Sequence, residues 1–135
     1  MPDLANPSSD GVSLAKLCAQ LLDERKMKDI VILHVEAAIQ ITEYFVLATG
    51  LNNRHLRSAS DHLVTECRKQ SVARSGIEGH REGKWILIDF DDVVVHLFLA
   101  EQREHYDLEL LWGDCPRLEW TPETRDQRSE VRGQR

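Results

Sequence analysis

Apolar positions along this chain follow two periods. Leu14, Leu17, Cys18, Leu21 and Leu22 recur at three- and four-residue spacing, which predicts an amphipathic helix over residues 13–26 with Ser13 as its N-cap. Ile30-Val31-Ile32-Leu33 is a continuous apolar run, so it reads as a strand buried on both faces. Residues 36–43 return the chain to a second strand, Tyr44 to Thr49, again apolar on both sides. That return is too short for a crossover helix, so the two strands are expected to be antiparallel. Asn52 or Asn53 then caps a helix running to about Ser71. Leu56, Ala59, Leu63 and Cys67 form its core face, and Arg57, Asp61, Glu66 and Lys69 face solvent. It can cross over to a parallel neighbour of the second strand.

Gly76 and Gly79 interrupt the helical pattern, and Ile77 opens a short strand. Trp85–Phe90 and Val93–Leu99 read as a hairpin around Asp91-Asp92. Residues 101–112 carry a last helix with Gly113 as its C-cap. Residues 1–12 read as a loose leader and 117–135 as a polar, disordered tail, leaving one domain at 13–116. The fold class expected is α/β: a mixed sheet of about five strands with helices packed on it.

The first hairpin strand alternates strictly. Trp85, Leu87 and Asp89 take one face, and Ile86, Ile88 and Phe90 the other. If the second trio supplies the core, the first presents a tryptophan, a leucine and an acid together. Such a tryptophan is either a core residue or an interface anchor, and the strand alone leaves both open. In the last helix Arg103, Tyr106, Asp107 and Leu110 share a side, while Leu108, Leu111 and Trp112 form a more apolar, packing side.

Composition narrows the classes. With 135 residues and 41% hydrophobic content the chain suffices for one packed domain without staples. No apolar run approaches the ~20 residues that span a bilayer. The N-terminus lacks both a signal-peptide pattern and a transit-peptide pattern, so a cytoplasmic protein is expected. Cys18, Cys67 and Cys115 are scattered and form no C-x-x-C pair, which argues against a zinc knuckle or a disulfide framework. A net charge of −6 argues against a general nucleic-acid grip and favours a basic protein partner.

Candidate chemistry is thin. An apolar strand ending at Gly50 and followed by a helix is a frequent setting for a phosphate site. Asp89 and Asp91 could hold Mg²⁺ as a D-x-D pair, the basis of an alternative reading as a nucleotidyltransferase-like enzyme. Gly50 is nevertheless followed by Leu51-Asn52-Asn53, without the Gly-Ser step of such enzymes, and Asp91-Asp92 also suits a plain turn. His55 and His62 lie about two helical turns apart, ~10 Å, too far for one ion without a further ligand. His96 within an apolar strand reads first as a hydrogen-bonded structural residue. No cysteine or serine has an evident catalytic partner.

Three blocks carry a resemblance: Thr42–Gly50 with Asn53-Arg54-His55; Trp85–Phe98; and Arg103–Gly113. Together they resemble the Iojap family, whose bacterial members are ribosomal silencing factors, and the likeness spans roughly residues 13–116. It implies an α/β fold related in shape to nucleotidyltransferases and a non-catalytic translation regulator needing no cofactor or metal. It further implies docking on large-subunit ribosomal protein L-fourteen of the 50S subunit, which blocks subunit joining when nutrients fall. The partner-binding residues would be Trp85, Leu87, Asp89, Arg103 and Tyr106, which decides the tryptophan for the interface. Arg54, His55 and His96 match family blocks without an assigned role, and a homodimer is a further expectation.

Overall fold

The computed structural model of the protein describes residues 11–36, 41–107 and 114–121. Its elements run α1 (Gly11–Glu24), β1 (Lys28–His34), β2 (Tyr44–Gly50), α2 (Asn53–Lys69), β3 (Gly76–Glu78), β4 (Trp85–Asp89), β5 (Val93–Leu99) and α3 (Ala100–Tyr106). The five strands form one mixed sheet in the order β1-β2-β5-β4-β3. β2 and β5 are parallel, and the other neighbours are antiparallel, β1 and β2 among them as expected. α2 does cross to a parallel strand, but that strand is β3 at the far edge. The parallel neighbour of β2 is β5.

One sheet face builds the main core. Leu14, Cys18 and Leu22 of α1 and Leu56, Leu63 and Cys67 of α2 pack on Val46, Ala48, Ile86, Ile88, Val95 and Leu97. The thiols of Cys18 and Cys67 face each other inside it, and that hydrogen bond together with burial raises the Cys18 pKa well above its ordinary value. Both cysteines are therefore packing residues rather than nucleophiles. Asn52 caps α2 in an extended conformation, its Oδ1 accepting the His55 N–H at 2.8 Å. Ser13 does not cap α1, because the helix already includes Gly11, where a Cβ would collide with Glu43 Oε1.

Two expectations change. β1 is an edge strand, so Lys28 and Asp29 are exposed, Ile30 and Val31 half-buried, and only Ile32 and Leu33 fully buried. α3 closes at Tyr106 rather than 112, because Asp107 turns left-handed (φ 49°) and its N–H bonds the Arg103 carbonyl at 2.8 Å. Leu108, Leu110, Leu111, Trp112 and Gly113 lie outside the described residues. The residues just past 116 cover the β1 edge. His34 N–H donates to Pro116 O at 2.8 Å, Leu118 N–H to Ile32 O at 2.9 Å, and Trp120 Nε1–H to Ile30 O at 3.2 Å. Leu118 and Trp120 pack on the main core. This self-pairing guards an edge that would otherwise be open to other chains.

Candidate functional site

The other sheet face follows from the same alternation that builds the core. Phe45 and Leu47 of β2, Val94, His96 and Phe98 of β5, and Trp85, Leu87 and Asp89 of β4 all project from it. Register pairs Trp85 with Phe98, Leu87 with His96 and Asp89 with Val94. Leu33, Val35, Phe45, Leu47 and Phe98 form a second buried cluster, with Trp85 packed at its margin. Trp85, Leu87 and Asp89 are half-buried while Ile86, Ile88 and Phe90 are buried, as the strand pattern predicts.

Trp85 is held on several sides. Its ring centroid lies 5.5 Å from Phe98 and 4.9 Å from Tyr106, with tilted geometry. Its Nε1–H donates to His96 Nδ1 at 3.2 Å. Indole nitrogen can only donate, so His96 Nδ1 must accept and the ring proton sits on Nε2. Burial lowers the His96 pKa from 6.5 to about 4, keeping the ring neutral near neutral pH. Its Nε2 is buried and finds no acceptor among the described residues. Tyr106 is 49% exposed, so α3 sets an accessible phenol against the indole. Beside them lies a shallow hollow of about 320 Å³ lined by Glu78, Gly79, Trp85 and Leu87. Gly79 (φ 80°) is required there, since a Cβ would strike the Trp85 carbonyl oxygen.

The remaining candidate residues are engaged in contacts of their own or, like Arg54, stand exposed away from Trp85. Arg103 points inward: its Nη1 donates to Asp29 O and Thr49 Oγ1, both at 2.8 Å, and its guanidinium lies 5.6 Å from the Phe98 ring centre. It therefore ties α3 to β1 and β2 rather than standing out beside Tyr106. His55 Nδ1 accepts the Leu51 N–H at 2.9 Å and its Nε2 donates to Arg25 O at 2.7 Å. This pins the β2–α2 loop to the α1–β1 turn, a structural role. Arg54 is exposed in the first turn of α2. Asp89 Oδ1 accepts the Asp91 N–H at 2.8 Å, and Asp91 has φ 74°. The strand alternation needed to aim both carboxylates one way therefore ends before Asp91, and the pair forms the hairpin turn.

Two further places offer polar groups. A crevice of about 430 Å³ opens at the C-terminal ends of the parallel strands β2 and β5, lined by Lys26, Lys28, Thr49, Gly50, His55 and Glu101, among others. Asp89 is paired near the start of β5, at the opposite end of the sheet, so the alternative enzymatic pair does not serve it. His34, Glu36 and Glu43 bring donor atoms within 4.8 Å of one another; this group contains neither Asp89 nor Asp91.

Comparison with known proteins settles the family. A family model described as "Ribosomal silencing factor during starvation" matches residues 8–135. The chain belongs to the ribosomal silencing factor family. It is 31% identical over 106 residues to ribosomal silencing factor RsfS of Halalkalibacterium halodurans, covering 78% of this chain and 91% of that protein. It is 35% identical to the Chromobacterium violaceum RsfS over 100 residues, 74% of this chain and 82% of the other. It is also 35% identical over 101 residues to "Mitochondrial assembly of ribosomal large subunit protein 1" of Mus musculus, covering 71% of this chain and 43% of the mouse protein. The crystal structure of a Chromobacterium violaceum protein superposes with a TM-score of 0.72 at 35% identity, over 74% of this chain and 83% of that one. In this silencing-factor fold Trp85 and Leu87 share a sheet face, as the alternation predicts, and Tyr106 lies against Trp85, but the sequence reading missed the Trp85–His96 bond. Its signal was available, since hairpin register and alternation together set His96 beside Leu87 on the tryptophan's own face.

Proposed function

We propose that the protein silences ribosomes by docking the Trp85–Tyr106 surface on large-subunit ribosomal protein L-fourteen and sterically preventing the small subunit from joining. The observation that carries this reading is the accessible Tyr106 ring set at a tilt against a half-buried Trp85, with the hollow along Leu87 beside them. Aromatic side chains with few rotors, set in a partly desolvated surface, are typical interface anchors. Asp89 on the same face and the net charge of −6 suit a basic ribosomal protein. The membership in a family described as silencing factors during starvation supplies the ribosomal context. A domain that occupies the joining face needs no chemistry, only residence longer than the interval between joining attempts. The protein would act in the cytoplasm, and a homodimer that buries the docking face would be a storage form.

Titration of purified L-fourteen into the protein, followed by calorimetry, tests the contact. Binding that weakens at least tenfold in Trp85→Ala supports the proposal. Equal binding by both proteins, or none by either, overturns it.

A further inference from the structure

We infer that His96 is a positioning residue: it fixes the Trp85 indole in its docking orientation through the Nε1–H···Nδ1 hydrogen bond. The inference rests on the docking reading above and assigns a part to a residue that has none there.

The argument starts from what His96 does for folding alone. It is only 6% exposed, with its ring 4.7 Å from Phe45 and 6.2 Å from Phe98, and its strand neighbours across the register are Leu47 and Leu87. In that setting a leucine would fill similar space and bring no polar atom of its own, so the only polar group it would leave without a partner is the half-buried indole N–H of Trp85. The histidine instead carries a buried Nε2–H without an acceptor among the described residues, which is a penalty rather than a gain. The compensating contact on the page is at the other nitrogen. Nδ1 meets the one polar atom of Trp85 at 3.2 Å, across adjacent antiparallel strands. Aromatic neighbours alone do not set the indole. Phe98 and Tyr106 lie against it at tilts of 42° and 49°, contacts that several ring orientations satisfy. A hydrogen bond to a ring nitrogen singles out one, because it fixes the direction of N–H. Indole and phenol are thus presented as one rigid pair, which lowers the entropy lost on docking.

Two variants, compared with wild type, separate this from a purely structural histidine. His96→Leu removes the acceptor and the unsatisfied donor together. His96→Asn restores an acceptor near the position of Nδ1, and wild type is the reference. Each is labelled with 5-fluorotryptophan, read by ¹⁹F NMR with Trp85→Phe to assign the Trp85 line, and assayed for melting temperature and for binding to isolated large subunits. The inference expects His96→Leu to melt close to the wild-type temperature, because relief of the unsatisfied Nε2–H offsets loss of the indole bond, yet to shift or broaden the Trp85 resonance and to bind at least fivefold more weakly. His96→Asn should recover most of both the resonance and the binding. An unshifted Trp85 line in His96→Leu overturns the inference whatever the binding does. A shifted line with undiminished binding also overturns it, as does a fall in stability that accounts for the loss. If wild type itself fails to bind large subunits, the docking reading falls, and the positioning of Trp85 is still decided by the resonance.

Discussion

At the scale of single residues, a histidine sealed among phenylalanines destabilises the fold wherever it must carry charge. Its folded pKa of about 4 lies below the ordinary 6.5, so the unfolded chain binds the proton first as pH falls. The stability associated with neutral His96 is therefore complete above pH 6.5 and erodes between 6.5 and 4. The shift corresponds to about 3 kcal/mol by the lower limit. Urea midpoints of wild type and His96→Leu across that window should diverge as the pH drops, with the variant flatter. Parallel curves would show that the ring is not buried in its neutral form. Trp85→Ala tests the neighbouring anchor. It should cost roughly 2–4 kcal/mol of large-subunit binding. Its folding cost should stay below the ~3–5 kcal/mol expected for a core aromatic, which Phe90→Ala, buried on the opposite face, supplies as the control. Tyr106→Ala should follow Trp85→Ala more mildly. Asp89→Asn is a cleaner charge test than Asp89→Lys, because Asn keeps the turn bond to the Asp91 N–H.

Among elements, α3 depends on a single side chain more than on its own length. It has seven residues and no buried side chain, and Arg103 ties it down through two hydrogen bonds of 2.8 Å. Arg103→Ala should cost about 1 kcal/mol of stability, since the half-buried Thr49 hydroxyl and the Asp29 carbonyl lose their donor but can turn to water. It should also weaken docking by loosening Tyr106 from Trp85. Hydrogen exchange in α3 that stays unchanged in Arg103→Ala would contradict this. The same element shows where sequence reasoning ends. Strands β2, β4 and β5 and the core face of α2 were legible because period and burial coincide there. α3 was drawn too long because leucines beyond Tyr106 continue a helical spacing, whereas Asp107 adopts a left-handed turn that no local pattern announces. The covering of β1 by residues 116–120 was also hidden. Leu118 and Trp120 stand alone among polar neighbours, and only long-range bonds to Ile30 and Ile32 give them a place. For the docking face, alternation revealed which residues share a side. It could not reveal that Arg103 points inward, because helical spacing fixes a direction but not the partners waiting there.

For the whole molecule, one face of the sheet is spent on the core and the other carries the aromatic group that α3 completes. An acidic domain meeting a basic partner should associate faster at low ionic strength, so rising salt should slow binding while changing dissociation less. Steric silencing makes a simpler claim than any of these details: occupancy of the large subunit must exclude the small one. The direct measurement is sedimentation of dissociated subunits brought to joining conditions with and without excess protein. The account predicts that wild type leaves the subunits separate with the protein on the large one, and that Trp85→Ala allows joined ribosomes to form. Full joining in the presence of bound wild-type protein would contradict it.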